Sequence, residues 1–344
     1  MKEMVEEVAN APALYRPSRF WEFLGGLNEQ MLSEHGLENL KRTVAQNYYN
    51  WLVVGTKDNQ FRNAFRHWLS RPTLAPFFSS IEPLDFLKTI GKQRRLGWKE
   101  AQLYKLFVGF VWELAREVDR TGLTQMLEEP LAGNPIRILR KGRRISQDLA
   151  SSIREASTML EARPDLGNGP RIVAELGAGY GRLGHVLLQE PETRYFVYDI
   201  PPALAASQWY LSQVFPQERI FRFRHIDSFA AIEAELAASR IAFFTPNQLA
   251  LVPDGYFDVF ASISTLPEMS AAQVRNYVRL MTAKTKQLIY LKQWKSWRNP
   301  YDDYTMSEGD LVLADGFSQV LKRDDAVQDA FFEAVWVRQP AGPA

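Results

Sequence analysis

The sequence predicts an α/β fold, a doubly wound and mostly parallel sheet over residues 146–344, preceded by an all-helical domain over residues 1–145. Three observations support this division. Apolar side chains recur at helical spacing between about residues 18 and 130. From Arg171 onward, short apolar runs alternate with helical segments, which is typical of a parallel sheet with crossover helices. A glycine-rich turn directly follows the first of these runs, as it does where an α/β sheet binds a nucleotide.

Two helical patterns of the N-terminal domain consist of Phe20, Phe23, Leu24, Leu27 and Met31, and of Leu37, Leu40, Val44 and Tyr48. Another strong amphipathic pattern covers residues 98–118. We expect most of the aromatic side chains in this region to form a helical core. Tyr48 is our candidate for a wall of an acceptor pocket. A lid and a homodimer interface are the two further roles that we consider for this domain.

Residues 131–145 are predicted to connect the two domains, and this connector is basic. Its cations are Arg137, Arg140, Lys141, Arg143 and Arg144. A solvated linker and an anion site for a phosphate-bearing acceptor are the two interpretations. Nucleic acid is not expected as a partner, because no wider basic face accompanies the cluster and the net charge is only +1. Ser146 has the side chain of an N-cap for a helix that extends to about residue 162.

The α/β domain is expected to contain seven strands, the last two forming an antiparallel hairpin. The predicted strands are residues 171–176, 194–199, 219–226, 257–263, 286–292, 317–322 and 331–338. The predicted helices between them are residues 181–190, 202–214, 230–238 and 270–283.

The sequence of the turn after the first strand is compatible with either of two cofactors. Gly179, Gly181 and residue 184 fit the G-x-G-x-x-G pattern of dinucleotide sites, with Asp199 about 20 residues further on. Glu175 with Gly177, Gly179 and Gly181 also fits E-x-G-x-G-x-G, the pattern of class I S-adenosylmethionine methyltransferases. A carboxylate at this strand end opposes a pyrophosphate but suits a sulfonium and an ammonium group. The sequence therefore favours S-adenosylmethionine over NAD, and an NAD-dependent oxidoreductase remains the alternative.

Beyond this motif, the stretches ELGAGYGRLGHVLL, YDIPPALAASQWYLS and SISTLPEM resemble the sugar O-methyltransferase family. LEEPLAGNPI, KGRRISQDLASSI, FFTPNQLALVPDGYFDVF and YLKQW are similar to that family as well, so that the resemblance covers roughly residues 125–300. It implies a Rossmann-like class I methyltransferase domain. It also implies methyl transfer to a hydroxyl of a sugar or a sugar-bearing small molecule, and we consider glycosylated and nucleotide-linked acceptors.

The resemblance also implies roles for individual residues at the cofactor. Glu175 and the three glycines would hold the methionine part, and Asp199, followed by Ile200, would accept hydrogen bonds from the ribose hydroxyls. In class I enzymes the loop after the third strand contacts the adenine. The cofactor set is therefore completed by Asp227, Ser228 and, after the fourth strand, Ser264.

The loop after the fourth strand faces the transferring methyl group in this fold. Glu268 is the candidate general base, with a helix cap for the helix near Ser270 as its alternative role. His225 is the second candidate for catalysis. Lys292 and Trp294, at the end of the fifth strand, are candidates for binding an acceptor through charge and stacking.

Composition narrows the remaining function classes. The chain has no cysteine, which excludes disulfides and thiolate chemistry. Its first residues lack the apolar core of a signal peptide, and no apolar run is long enough to span a bilayer, so we expect a cytoplasmic protein without a membrane partner. No metal-ligand spacing is evident. Methylation of a peptide carboxylate, an amine or a natural-product hydroxyl, and a non-catalytic binding module, remain alternatives to a sugar acceptor.

Overall fold

The computed structural model describes residues 1–42, 53, 55–70, 80–81, 97–163, 166, 171–313 and 316–339. Tyr48 lies outside these residues. The helices are α1(Lys2–Asn10), α2(Arg19–His35), α3(Asn59–Leu69), α4(Trp98–Val118), α5(Leu123–Met126), α6(Gln147–Ala162), α7(Arg182–Leu187), α8(Ala203–Val214), α9(Glu233–Ala237) and α10(Ala271–Lys284). The strands are β1(Ser80–Ile81), β2(Ile138–Arg140), β3(Arg143–Ile145), β4(Arg171–Leu176), β5(Thr193–Tyr198), β6(Ile220–Phe221), β7(Ile241–Phe244), β8(Phe257–Ile263), β9(Thr285–Trp294), β10(Ser296–Asn299), β11(Tyr304–Ser307), β12(Phe317–Asp324) and β13(Phe331–Arg338).

Packing divides the chain into two units. The first, called the α/β unit below, consists of residues 1–27, 159–324 and 330–344. The second consists of residues 28–158 and 325–329. This division differs from the predicted boundary between residues 145 and 146, since α1 and the start of α2 belong to the α/β unit.

The α/β unit contains an eight-stranded sheet of order β12-β13-β9-β8-β4-β5-β7-β6. The six strands β9, β8, β4, β5, β7 and β6 are parallel to one another. Strand β13 is antiparallel to both β9 and β12. The predicted doubly wound α/β class and the final antiparallel pair are confirmed. The predicted number of strands is wrong, because β7 was not anticipated.

The third strand of the prediction, residues 219–226, is also wrong. Only Ile220 and Phe221 form a strand there, and β6 lies at the edge of the sheet. The position beside β5 is occupied by β7, whose four residues are all buried. A strand covered on both faces has a continuous apolar sequence, which the run Ile241–Phe244 provides.

An apolar core lies on one face of this sheet. Side chains from β4, β5, β7, β8 and β9 meet those of α10 there, and Phe196, Phe244 and Phe260 are among its fully buried aromatics. Rings stack edge to face or offset through this core, for example Tyr198 on Phe244 with centroids 5.2 Å apart. This packing holds the carboxyl ends of the parallel strands in a fixed arrangement.

The order of the strands reverses at β4, which pairs with β5 on one side and β8 on the other. The loops after neighbouring parallel strands meet at one edge of the sheet, and in open α/β sheets ligands bind where the order reverses. The loops at this point begin at Gly177 after β4, at Asp199 after β5 and at Ser264 after β8.

In the second unit, α4 begins and ends where the sequence predicts, at Trp98 and Val118. The predicted N-cap of α6 is also confirmed, since Ser146 Oγ accepts a hydrogen bond from the Leu149 N–H at 3.0 Å. Among the residues described, no helix is long and apolar enough to cross a bilayer.

The basic connector forms a β-hairpin, β2 and β3, rather than a solvated linker. Three of its cations bind partners within the second unit. Arg140 pairs with Glu113, and Arg144 lies 2.8 Å from Glu128. Arg143 donates to the Leu127 carbonyl at 2.8 Å. These interactions stabilise the hairpin. They also bind, within the protein, three of the cations that the sequence analysis considered for an anion site.

Candidate functional site

The glycine-rich loop after β4 has a left-handed backbone at three positions. The φ angles of Gly177, Gly179 and Gly181 are 76°, 59° and 87°. The N–H groups of all three are engaged within the protein. Gly177 donates to the Tyr198 carbonyl and Gly181 to the Ala178 carbonyl, both at 2.9 Å. Gly179 donates to Asp199 Oδ2 at 2.9 Å, which joins the loop to the end of the next strand.

Neighbouring elements pack closely on this loop. A Cβ atom at Gly181 would lie 3.0 Å from the Leu211 side chain of α8. The ring of Tyr180, within the loop, meets Tyr210 of α8 edge to face at 5.0 Å. The helix α8 therefore contacts the glycine loop at two neighbouring residues, Tyr180 and Gly181.

Glu175 lies near the end of β4 with only 3% of its surface exposed. The hydroxyl of Tyr195, on the neighbouring strand β5, donates a hydrogen bond to Glu175 Oε2. The sequence analysis missed Tyr195, although its place in a buried strand beside β4 is consistent with this contact. The pair lies near the end of β4, just before the glycine loop begins.

Asp199 follows β5 and is buried, with 7% of its surface exposed. Burial raises the pKa of this carboxyl from 3.8 to about 7, although the N–H groups of Ile200 and Gly179 oppose the rise by donating to it. Ile200 N–H donates to Oδ1 at 2.8 Å. Each carboxylate oxygen has two lone pairs, so Asp199 retains acceptor capacity for a ligand diol.

The loop after β8 adjoins the glycine loop. Ser264 has a left-handed backbone, with φ of 55°, and its N–H donates to the Lys292 carbonyl at 2.8 Å. The buried side chain of Thr265, the next residue, lies against Gly177. The structure therefore brings this loop beside the predicted methionine-binding glycines.

Glu268, in the same loop, is 6% exposed. Its Oε2 accepts a hydrogen bond from the indole N–H of Trp21 at 3.0 Å. Its backbone carbonyl accepts from Ser18 Oγ at 2.5 Å and from Asn299 Nδ2 at 3.2 Å. Contacts from α2 and its preceding residue thus fix both the carboxylate and the main chain of this residue.

The structure contradicts the alternative role of Glu268 as a helix cap. Ser270 is the N-cap of α10, and its hydroxyl accepts from the Gln273 N–H at 3.4 Å. Gln273 completes a capping box by accepting from the Ser270 N–H at 3.0 Å. The carboxylate of Glu268 is directed instead to Trp21.

His225, Asp227 and Ser228 lie in the loop after β6, and all three are exposed. His225 Nδ1 lies 2.6 Å from Glu7 Oε2 of α1, and its Nε2 lies 3.3 Å from Asp227 Oδ1. The hydrogen bond and the charge of Glu7 raise the pKa of His225 above its usual 6.5. Because β6 is an edge strand, this loop does not follow the strand beside β5.

The loop that does follow the neighbour of β5 begins at Thr245, after β7. Phe244 pairs with Tyr198, and the Asp199 N–H donates to the Phe244 carbonyl at 3.1 Å. Asn247, two residues further on, donates from Nδ2 to Glu7 Oε1 at 2.7 Å. Sequence analysis placed no site residue here, because it did not identify β7.

Of the acceptor candidates, Lys292 lies on β9 with 4% of its surface exposed and is paired in register with Glu333 of β13. Trp294 packs on Phe331 with ring centroids 4.5 Å apart. Within the described part of the chain, no group of three or more acidic or histidine side chains is arranged to hold a metal ion.

No family model matches this chain, and no curated protein does. Solved structures are similar at TM-scores near 0.4. Magnesium protoporphyrin IX methyltransferase from Synechocystis with bound SAH has 14% identity and a TM-score of 0.38, over 56% of this chain and 86% of its own. A Burkholderia thailandensis 1,6-didemethyltoxoflavin-N1-methyltransferase has 18% identity and a TM-score of 0.40, over 55% and 79%. A SAM-dependent methyltransferase from Aquifex aeolicus has 12% identity and a TM-score of 0.37, over 66% and 98%.

Proposed function

We propose that this chain is an S-adenosylmethionine-dependent methyltransferase. The hydrogen bonding of the glycine loop is the observation that carries the proposal. A dinucleotide site needs loop N–H groups that are free to bind a pyrophosphate. Here the N–H groups of Gly177, Gly179 and Gly181 all donate to protein oxygens. A cofactor without phosphates does not require those donors.

The charges of the site support the same cofactor. Glu175 and Asp199 place two buried acidic side chains around the loop, and these would repel a pyrophosphate. They suit a ligand that carries a sulfonium and an α-ammonium group. Asp199 would hold the ribose hydroxyls, with Ile200 beside it, while Glu175 and the glycines would hold the methionine part. When bound, S-adenosylmethionine supplies an electrophilic methyl group.

For the acceptor, we propose a hydroxyl of a sugar or a sugar-bearing small molecule. Glu268 is the group that we assign to take the proton of that hydroxyl, because its buried carboxylate lies in the loop beside the glycine loop. His225 is less suited to be a base, since a raised pKa keeps its ring protonated to higher pH. The non-sugar acceptors named above are the alternatives.

Calorimetric titration with S-adenosylhomocysteine and, separately, with NAD tests the cofactor. We expect micromolar binding of the first and none of the second. The reverse result would make the chain an oxidoreductase.

A screen with methyl-labelled S-adenosylmethionine, comparing sugar nucleotides and glycosides with amines, peptides and other hydroxyls, then tests the acceptor. Labelling of the non-sugar compounds alone would contradict a sugar substrate.

The raised pKa of Asp199 predicts pH-dependent cofactor binding. The ionised carboxylate accepts both ribose hydroxyls, so affinity should rise with pH through about 7 and level off above it. Between pH 8 and pH 6 we expect S-adenosylhomocysteine to bind about tenfold more weakly, one unit below the pKa. For the unliganded protein we expect the opposite trend in stability. The folded state holds the proton of Asp199 more tightly than the unfolded state, so the free energy of unfolding should fall as pH rises from about 4 to 7.

Asp199→Asn is the matched control for this pH dependence, because the amide does not titrate. We expect this variant to bind S-adenosylhomocysteine at least about tenfold more weakly at pH 8, given that a hydrogen bond to a charged group contributes roughly 1.5–3 kcal/mol. Its affinity should not change between pH 6 and pH 8. A wild-type affinity that is equally flat would refute the ribose assignment.

A further inference from the structure

One carboxylate joins the first turn of α2 to the β10–β11 hairpin. The first N–H groups of a helix have no partner within the helix and need one from outside it. In α2, the N–H groups of Arg19 and Phe20 donate to Oδ1 and Oδ2 of Asp302, at 3.3 Å and 3.4 Å. Asp302 lies in the turn between β10 and β11, 283 positions from Arg19. A residue from a distant part of the chain therefore holds the start of this helix.

Ser18, directly before α2, satisfies the next two N–H groups of the helix. Its hydroxyl accepts from the Trp21 N–H at 3.4 Å, and its carbonyl accepts from the Glu22 N–H at 2.8 Å. The same hydroxyl donates to the carbonyl of Glu268. The start of α2 thus determines where the Trp21 indole lies, and that indole donates to the Glu268 carboxylate.

Asn299, the last residue of β10, connects Asp302 to the main chain of Glu268. It is fully buried, and its Nδ2 donates both to the Glu268 carbonyl at 3.2 Å and to Asp302 Oδ2 at 2.9 Å. Its Oδ1 accepts from the N–H groups of Tyr301 and Asp302, at 3.0 Å and 3.2 Å. These partners fix the orientation of the amide, since only its oxygen can accept. The hydrogen bonds therefore form a closed ring through α2, the loop after β8 and the hairpin.

We propose that Asp302 is a positioning residue for the general base. Its carboxylate lies at the N-terminus of α2, where a negative charge is favourable, and it holds Trp21 where the indole N–H meets Oε2 of Glu268. Through Asn299 it also fixes the main chain of Glu268. Asp302 acts through these residues and has no assigned contact with the cofactor or the acceptor. The inference rests on the proposed function, which requires Glu268 as the base.

The indole N–H signal of Trp21 in a ¹H–¹⁵N NMR spectrum tests this role without any substrate. The chain has nine tryptophans, and the indole signal that disappears in Trp21→Phe is that of Trp21. Asp302→Asn keeps the shape of the side chain but replaces one accepting oxygen by an NH₂ group, so it cannot accept from both α2 and Asn299. We expect the Trp21 signal to move upfield in Asp302→Asn, because its hydrogen bond to Glu268 weakens. An unmoved signal would overturn the proposal.

Asp303→Asn is the matched control. It makes the same change at the neighbouring position, where the exposed carboxylate pairs with Arg298 at 3.0 Å, and asparagine tolerates the left-handed backbone found there. An exposed ion pair of this kind contributes little to stability. The Trp21 signal of Asp303→Asn should therefore coincide with that of the wild-type protein. A shift of the same size in both variants would contradict a specific role of Asp302.

Turnover shows whether Asp302 acts through Trp21. We expect Asp302→Asn to lower kcat by about tenfold, because the base is less well oriented, with a change of less than about twofold in the affinity for S-adenosylhomocysteine. In a Trp21→Phe background the same change should lower kcat by less than about twofold, since the contact that it maintains is already absent. Full additivity of the two losses would overturn the proposal. If the wild-type protein neither binds S-adenosylhomocysteine nor transfers a methyl group, the proposed function is wrong, and the indole signal distinguishes that result from a failure of the hydrogen-bonded ring.

Discussion

Glu268→Gln is expected to lower kcat by about 10²–10⁴-fold, the contribution typical of a general base. Gln has almost the same shape as Glu, and its amide oxygen can still accept from the Trp21 indole, 3.0 Å from the carboxylate in the native protein. The loop should therefore keep its conformation, because its main chain is held separately by Ser18 and Asn299. Only the capacity to take a proton is lost.

Turnover of labelled S-adenosylmethionine and calorimetry with S-adenosylhomocysteine, measured on the same preparations, test this expectation. Cofactor affinity should change by less than about twofold, since Glu268 has no assigned contact with the cofactor. His225→Gln is the control, because it removes the other titratable candidate from an exposed position. If His225→Gln loses turnover and Glu268→Gln does not, the base lies in the loop after β6 and our assignment is wrong.

Trp21→Phe separates the base from the residue that positions it. This change keeps an aromatic side chain but removes the N–H that donates to Glu268. Without this donor the carboxylate is no longer held in one orientation, so kcat should fall while the affinity for S-adenosylhomocysteine stays close to that of the wild-type protein. An equal loss of kcat and of cofactor affinity would assign Trp21 a purely structural role.

The sequence analysis correctly predicted the strands whose apolar runs are isolated between turns. It mispredicted the strands in the one region that contains two such runs close together. β4, β5, β8, β9 and the final hairpin were predicted within a few residues. Between β5 and β8 the chain contains two runs able to form strands, residues 219–226 and 241–244, and the sequence analysis predicted only the first. The shorter run forms the inner strand. All four of its residues are apolar and buried, which suits a strand that is covered on both faces of the sheet.

The residues of the site also divide into those that a local sequence signal identifies and those that have no such signal. The local signals, a glycine series and an acid at the next strand end, placed Asp199 and the loop beside each other, where Gly179 N–H lies 2.9 Å from Asp199 Oδ2. The partners from the N-terminal segment carry no local signal. Trp21 and Glu7 reach residues that are 247 and 240 positions away in the chain. Such pairs are set by tertiary packing, which periodicity and motif spacing do not encode.

Gly177→Ala is expected to destabilise the α/β unit and to abolish micromolar cofactor binding. The backbone at Gly177 is left-handed, with φ of 76°, which costs an alanine about 1–2 kcal/mol. A Cβ atom there would also lie 2.7 Å from Thr265 Cβ and closer still to Oγ1 and Cγ2 of that side chain. Overpacking of this kind typically costs a further 1–3 kcal/mol, and relieving it requires the two loops of the site to separate.

Gly142→Ala isolates the first of these costs, that of the left-handed backbone. Gly142, in the turn of the β2–β3 hairpin, has a φ of 78°, and a Cβ atom added there would meet nothing within 4 Å. Chemical unfolding should therefore show a loss of about 1–2 kcal/mol for Gly142→Ala and roughly twice that for Gly177→Ala. Only the change at Gly177 should impair binding of S-adenosylhomocysteine. If both variants lose the same stability and both keep their affinity, then the contact between Thr265 and the glycine loop does not shape the cofactor site.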